Sequence, residues 1–229
     1  MKALLYKEFK LAMHPMCYIF VAVFPLMILI PSYPIAIGFI YVLSFYPVLF
    51  LGANKGQQSN DLLFSTLLPV RKKDIVLARI CTVVIMQLAF IIIMTCFYPV
   101  ASIARDAIAQ EAIAAGQSVP TDAGFGLNAY TSCLAFAIIG YALADLIYFS
   151  IYYRRGKSIV ASTLLTILGF IAYLGTFTIG LPYVPAYGSF FSGNIWIQIG
   201  FLVIALVVSF LLHIVVYKVS SKELEKVDF

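Results

Sequence analysis

Charge is what this sequence has least of. Only 11% of its 229 residues are Asp, Glu, Lys or Arg, while 63% are hydrophobic; soluble domains carry roughly 25% charged residues. A water-facing globule of this composition lacks the polar surface to cover itself. Histidine is reduced to two residues and acids to 10. No acidic pair, His/Cys set or Ser/His/Asp arrangement stands out, so no catalytic residue, enzyme activity or metal site is expected. The cysteines Cys17, Cys81, Cys96 and Cys133 fall in hydrophobic runs without metal-ligand spacing and read as small packing residues. A Cys96–Cys133 disulfide stays open, because both lie toward the outer ends of neighbouring runs. A leader is not evident either: residues 1–14 are too polar, and no small-x-small cleavage site follows the first apolar run. The net charge of +5 is no nucleic-acid signal, since the basic residues lie between hydrophobic runs rather than on one folded face.

What is present is a series of apolar runs near the ~20 residues that carry a helix across ~30 Å of hydrocarbon. They fall at about 16–30, 34–53, 75–100, 127–152, 158–181 and 195–217. An amphipathic segment, 1–13, precedes them. Its Leu4, Leu5, Phe9 and Ala12 or Met13 face one way and Lys2, Lys7, Glu8 and Lys10 cover the rest, as in a helix lying at the headgroups. His14 and Pro15 then turn the chain into the bilayer, and Pro25 and Pro47 mark kinks inside the first two runs. Six spans with both termini cytosolic leave Arg105 as the sole outer residue among 15 Lys and Arg, a strong positive-inside bias. Aromatic belts are expected at Tyr148, Phe149, Tyr152 and Tyr153 on the inner side and at Tyr183, Tyr187, Phe190, Phe191 and Trp196 outside. The expectation is an all-α, multi-pass protein of the plasma membrane. Residues 102–126 form its long outer loop, opening as a helical extension that stops at Gly116. Residues 218–229 form a short charged tail.

A few polar residues sit inside the runs. Asp145 costs several kcal/mol as an ion at such depth unless paired or wet, and by depth Arg79 is its best partner, as a structural or gating ion pair. His213 reads first as a hydrogen-bonded packing residue. Gly140 with Ala144, and Ser162, Thr166, Gly169, Ala172 and Thr176, offer small faces for helix packing. Arg155-Gly156-Lys157-Ser158 ends like a phosphate-binding loop, but Ile151 stands where the first glycine belongs, so the chain carries no nucleotide site.

The longest inner interruption is 56–79, GQQSNDLLFSTLLPVRKKDIVLAR. Ser59, Asn60 or Asp61 caps a short helix, Pro69 ends it, and Leu62, Leu63, Leu67 and Leu68 bunch on one side beside Phe64. Two readings are open: a greasy knob for a soluble partner, or an interfacial helix resting on lipid. The run from Asn60 through Pro69 to Val76, followed by Ala78 and Arg79, resembles the corresponding segment of permeases of ABC-2-type ATP-binding-cassette exporters. The order of elements is similar over the whole chain, most of all to small permeases of Firmicute peptide exporters such as those of phenol-soluble modulins.

The resemblance implies a type V exporter-like fold. In it 57–70 is the coupling helix, with Asp61, Leu62, Leu63, Phe64, Leu67, Leu68 and Arg71 meeting an ATPase. It implies two separately encoded ATPase subunits holding ATP and Mg, a second permease subunit (a homodimer), and amphipathic peptide cargo moved by alternating access. A cavity between spans 2 and 5 places Tyr46, Phe50, Thr166, Phe170 and Tyr173 near that cargo. The rival expectations are an ion-coupled secondary transporter and an ABC exporter of lipids or drugs.

Overall fold

A backbone that crosses hydrocarbon has to hydrogen-bond to itself, and helices do so without edges. The computed structural model describes residues 2–29, 42, 46, 70–116, 127–154, 159–176 and 194–226, and no strand occurs among them. Helix α1 (Lys2–Lys7) runs into a π-helical turn, Glu8–Ala12. Helix α2 (Pro15–Val23) follows, with His14 Nδ1 accepting from the Met16 amide at 3.2 Å as its cap. The segments Lys2–Lys10 and Pro15–Leu26 meet at 85°, so the chain turns at His14-Pro15. Beyond Val23 it tightens to a 3-10 turn, Phe24–Leu29, where Pro25 supplies no N–H for an α-helical bond.

Four longer helices make the bundle: α3 (Lys72–Ala114), α4 (Leu127–Arg154), α5 (Ile159–Gly175) and α6 (Ile195–Glu225). Their cross-links fix the directions. On α3 and α4, Arg79 meets Tyr152, Gln87 meets Asp145 and Thr95 meets Tyr130, so the two are antiparallel. Tyr173 of α5 donates to the Phe136 carbonyl and Gly169 abuts Ile147, so α5 is antiparallel to α4. Ser132 with Gln198 and Asp145 with His213 make α6 parallel to α4. Successive helices therefore alternate in direction. The N-terminal helix, the start of α3 and the ends of α4 and α6 all gather at one end, where Lys73 bonds Glu225 at 3.2 Å.

Among the described residues three helices are long and apolar enough to cross a membrane, Lys72–Ala114, Tyr130–Arg154 and Ile195–Glu225, and the bent pair at the N-terminus counts as a fourth if taken as one span. Helix α5 is described over 17 residues, a rise of ~26 Å at 1.5 Å per residue. Of the second predicted span only Val42 and Tyr46 are described, both helical and fully buried. The outer loop opens as helix: α3 continues through Pro99 to Ala114, and Gly116 takes a left-handed φ of 68°, which suits a residue without Cβ at a helix end. The predicted charged tail is likewise mostly helix, because α6 continues to Glu225 with Leu224 buried.

The surface is inverted relative to a soluble protein. Val160, Leu164, Leu168 and Ile171 of α5 face outward, as do Ile204, Phe210 and Leu211 of α6. Inside lie small and hydroxyl residues, including Ser162, Thr163 and Thr166, the pattern of helices that associate in lipid. Buried hydroxyls serve themselves: Thr82 donates to the Ala78 carbonyl at 2.9 Å and Thr166 to that of Ser162 at 2.7 Å. The inner aromatic belt is a correction. Tyr148, Phe149, Tyr152 and Tyr153 are buried and stack on one another within the bundle, with Tyr152 meeting Arg79 of α3 and Tyr148 meeting Tyr46. Trp196 does face outward, at 73% exposure. The four cysteines are free, with Cys17 buried and Cys96 exposed.

Close packing of α4 on α5 depends on Gly140, where an added Cβ would stand 2.9 Å from both the Phe170 and Tyr173 rings. At Gly169 the added atom meets only the tip of Ile147, which can rotate away. Gly140→Val is expected to cost about 1–3 kcal/mol by overpacking, and Gly169→Ala less. Thermal unfolding in detergent measures both.

Candidate functional site

Asp145 is the most demanding group in the bundle, because its carboxylate is fully buried on α4 at a depth where an unpaired charge is costly. Three parts of the chain satisfy it. The Tyr46 hydroxyl donates to Oδ1 at 2.6 Å, and Gln87 Nε2 of α3 donates to Oδ2 at 2.8 Å. His213 Nε2 of α6 lies 3.1 Å from Oδ2. Gln87 also donates to the Tyr46 hydroxyl at 3.3 Å, and the Tyr46 ring packs on Tyr148 at 5.3 Å. The other ring nitrogen, His213 Nδ1, lies 2.7 Å from the Ser209 carbonyl one turn earlier. A second polar tie between α4 and α6, Ser132 Oγ to Gln198 Oε1, sits nearer the opposite end of both helices.

The expected Asp145–Arg79 pair does not form, and geometry explains it. Arg79 lies eight residues before Gln87 on α3, about 12 Å along the axis, at the level of Tyr152 instead. There Glu8 grips it with both carboxylate oxygens, Nε to Oε2 at 2.9 Å and Nη2 to Oε1 at 3.3 Å. Nη1 donates to the Tyr152 hydroxyl at 3.2 Å. Lys7 Nζ approaches Glu8 at 3.7 Å. The pair is almost dry, with side-chain exposures of 2% for Arg79 and 4% for Glu8. Lys7 and Glu8 were expected on the water-facing side of the amphipathic helix. They turn inward with Leu4 because α1 docks on the base of α3 rather than lying free on lipid.

Of the predicted cavity, the span 2 wall is described only at Val42 and Tyr46. Tyr46 is sequestered by Asp145, Thr166 is buried against its own helix, and Phe170 and Tyr173 close over Gly140. Among the described residues an open volume of about 530 Å³ lies between α3 and α6, floored by Ile138 and Tyr141 of α4. Its walls are apolar apart from Gln87, Ser209, His213, Tyr217 and Cys81. Phe50 lies outside the described residues, as do the coupling residues Asp61, Leu62, Leu63, Phe64, Leu67 and Leu68. Arg71 is described: it is exposed, caps α3 and bonds Asp74 at 3.1 and 3.4 Å. No group of three or more His, Cys, Asp or Glu suited to a metal occurs among the described residues.

Sequence reasoning missed Glu8, Gln87 and Gln198. Two carried a signal: Gln87 and Gln198 are amides inside apolar runs, where hydrocarbon leaves them no water to bond. No family model, curated protein or solved structure matches this chain.

Breaking a buried ion pair from one side leaves an uncompensated charge. Arg79→Met and Glu8→Gln are each expected to lower stability by about 3–5 kcal/mol. The double variant should cost clearly less than the sum, a coupling that a double-mutant cycle of unfolding in lipid measures.

Proposed function

We propose that this chain is the permease subunit of an ATP-driven exporter of the ABC-2 type, with six spans and both termini cytosolic in the plasma membrane. The reading rests on the resemblance carried by residues 60–79. One structural observation lends it mechanical sense. Residues 57–70 lead directly into Arg71 and the start of α3. The base of α3 is in turn clamped by Arg79 to the N-terminal helix through Glu8 and to α4 through Tyr152. A push delivered below the bilayer thus reaches three elements together instead of being absorbed in a loop.

Leu62, Leu63, Phe64, Leu67 and Leu68 are the docking surface in this reading, with Asp61 and Arg71 at its edges. Two ATPase subunits supply ATP and Mg, and a second copy of the permease completes the pathway. Cargo is hydrophobic or amphipathic, peptides ahead of lipids or drugs, because apolar walls hold a hydrophilic solute poorly. The apolar groove between α3 and α6 has that character. Cargo-stimulated ATP hydrolysis in vesicles separates the cargo classes.

Co-purification with an ATPase tests the proposal. Changing Leu63, Phe64 and Leu67 together to Asp is expected to reduce capture at least tenfold (about 1.4 kcal/mol per decade). Retained capture, or transport without any nucleotide-hydrolysing partner, would overturn it; the latter result would select an ion-coupled secondary transporter.

A further inference from the structure

The hydrogen bonds around His213 leave a proton to be accounted for. Its Nδ1 faces the Ser209 carbonyl at 2.7 Å, and a carbonyl oxygen only accepts, so Nδ1 carries hydrogen. The Ser209 hydroxyl at 3.5 Å is too distant to compete. The other nitrogen, Nε2, faces Asp145 Oδ2 at 3.1 Å. An ionised carboxylate also only accepts. One further proton therefore lies between the two, whether the pair is written as imidazolium with carboxylate or as neutral ring with carboxylic acid. Without it, two lone pairs face each other and a net negative charge is left on a side chain of 0% exposure.

We propose that Asp145 and His213 form a proton-binding site in the wall of the α3–α6 groove, and that its occupancy holds α6 on α4. The groups around it are named by element. Gln87 and Tyr46 donate to Asp145, stabilising a carboxylate without supplying a counter-charge. Cys81 of α3, Tyr141 of α4 and Tyr217 of α6 line the groove beside His213. Tyr148 of α4 packs on Tyr46. Arg79 is held two turns away by Glu8 and Tyr152. His213 joins the buried acid to the open volume: its side chain is 16% exposed and lines the groove, whereas Asp145 does not. Helix α6 responds because its outer face is bare, with Ile204, Val207 and Leu211 all more than half exposed. Its polar ties to α4 include the Ser132–Gln198 and Asp145–His213 bonds, with Arg154 acting on Glu223 through charge at the far end. Losing the shared proton turns the second of these from attraction to repulsion.

The site stands apart from the exporter reading, because its readout needs only the chain itself in lipid. The sequence has two histidines, so ring-¹⁵N-histidine labelling in a His14→Gln background leaves His213 as the one imidazole signal. Titrated from mildly acidic to alkaline pH, that ring is expected to change in a single step at Nε2 while Nδ1 keeps its hydrogen. Asp145→Asn removes the carboxylate and should weaken proton binding at least tenfold. Tyr46→Phe removes a donor to the carboxylate and should move the step the other way, to higher pH. Trp196, the single tryptophan of the chain, begins α6, and its emission should change with the same midpoint. A ring signal that never changes, or a midpoint untouched by Asp145→Asn, overturns the site. Where Asp145→Asn does not fold, an unmoved midpoint in Tyr46→Phe overturns it equally. Emission from Trp196 that stays flat through the ring's titration overturns the link to α6.

Discussion

Asp145 takes hydrogen bonds from Tyr46 and from Gln87 on α3 and meets His213 of α6, and much of the bundle is arranged so that it can. In water such a carboxylate would be solvated for nothing. Inside an apolar bundle its bonds to surrounding helices are what make burial tolerable, and they also set register. Sliding α6 by one residue would take His213 off Oδ2 and Gln198 off Ser132 together. The aliphatic contacts around them tolerate such a shift; the polar ones do not. Specificity in this fold therefore comes from a few hydrogen bonds, while dispersion and lipid exclusion supply most of the bulk attraction.

The clamp at Arg79 answers to the same rule nearer the charged end. A guanidinium with 2% exposure is tolerated because Glu8 reaches it from a segment that sequence pattern alone places on the surface. That docking gives α1 a mechanical role: it braces the first turns of α3 where residues 57–70 enter. If the chain is driven by an ATPase, as proposed, the brace decides whether a stroke bends one helix or moves several.

Helical class, the turn at His14-Pro15 and the starts of α4 and α6 were legible in the sequence, because long apolar runs, a proline at a helix N-terminus and the Asn194 cap are local signals. The partner of Asp145 was not. Depth along a helix can be counted from sequence, but which neighbour faces which side depends on packing between residues 68 positions apart, as with His213. The same limit misplaced the aromatic cluster at Tyr148 to Tyr153, which resembles an interfacial belt in composition yet is buried in the bundle. It also misplaced Glu8, whose pattern of lysines and leucines fits a free amphipathic helix equally well. The cavity was assigned to spans 2 and 5; on the described side, Thr166 bonds its own backbone and Phe170 and Tyr173 of α5 close over Gly140 of α4.

Helix α3 runs 43 residues, about 64 Å from end to end, more than twice the hydrocarbon thickness of a bilayer. Its last stretch carries Asp106 and Glu111 and ends with Gly116 turned back on itself. That part of the helix is a mast beyond Pro99, holding Ala114 about 22 Å further along the axis. A probe or affinity handle spliced in at its tip would ride above the headgroups, leaving the packed helices beneath undisturbed.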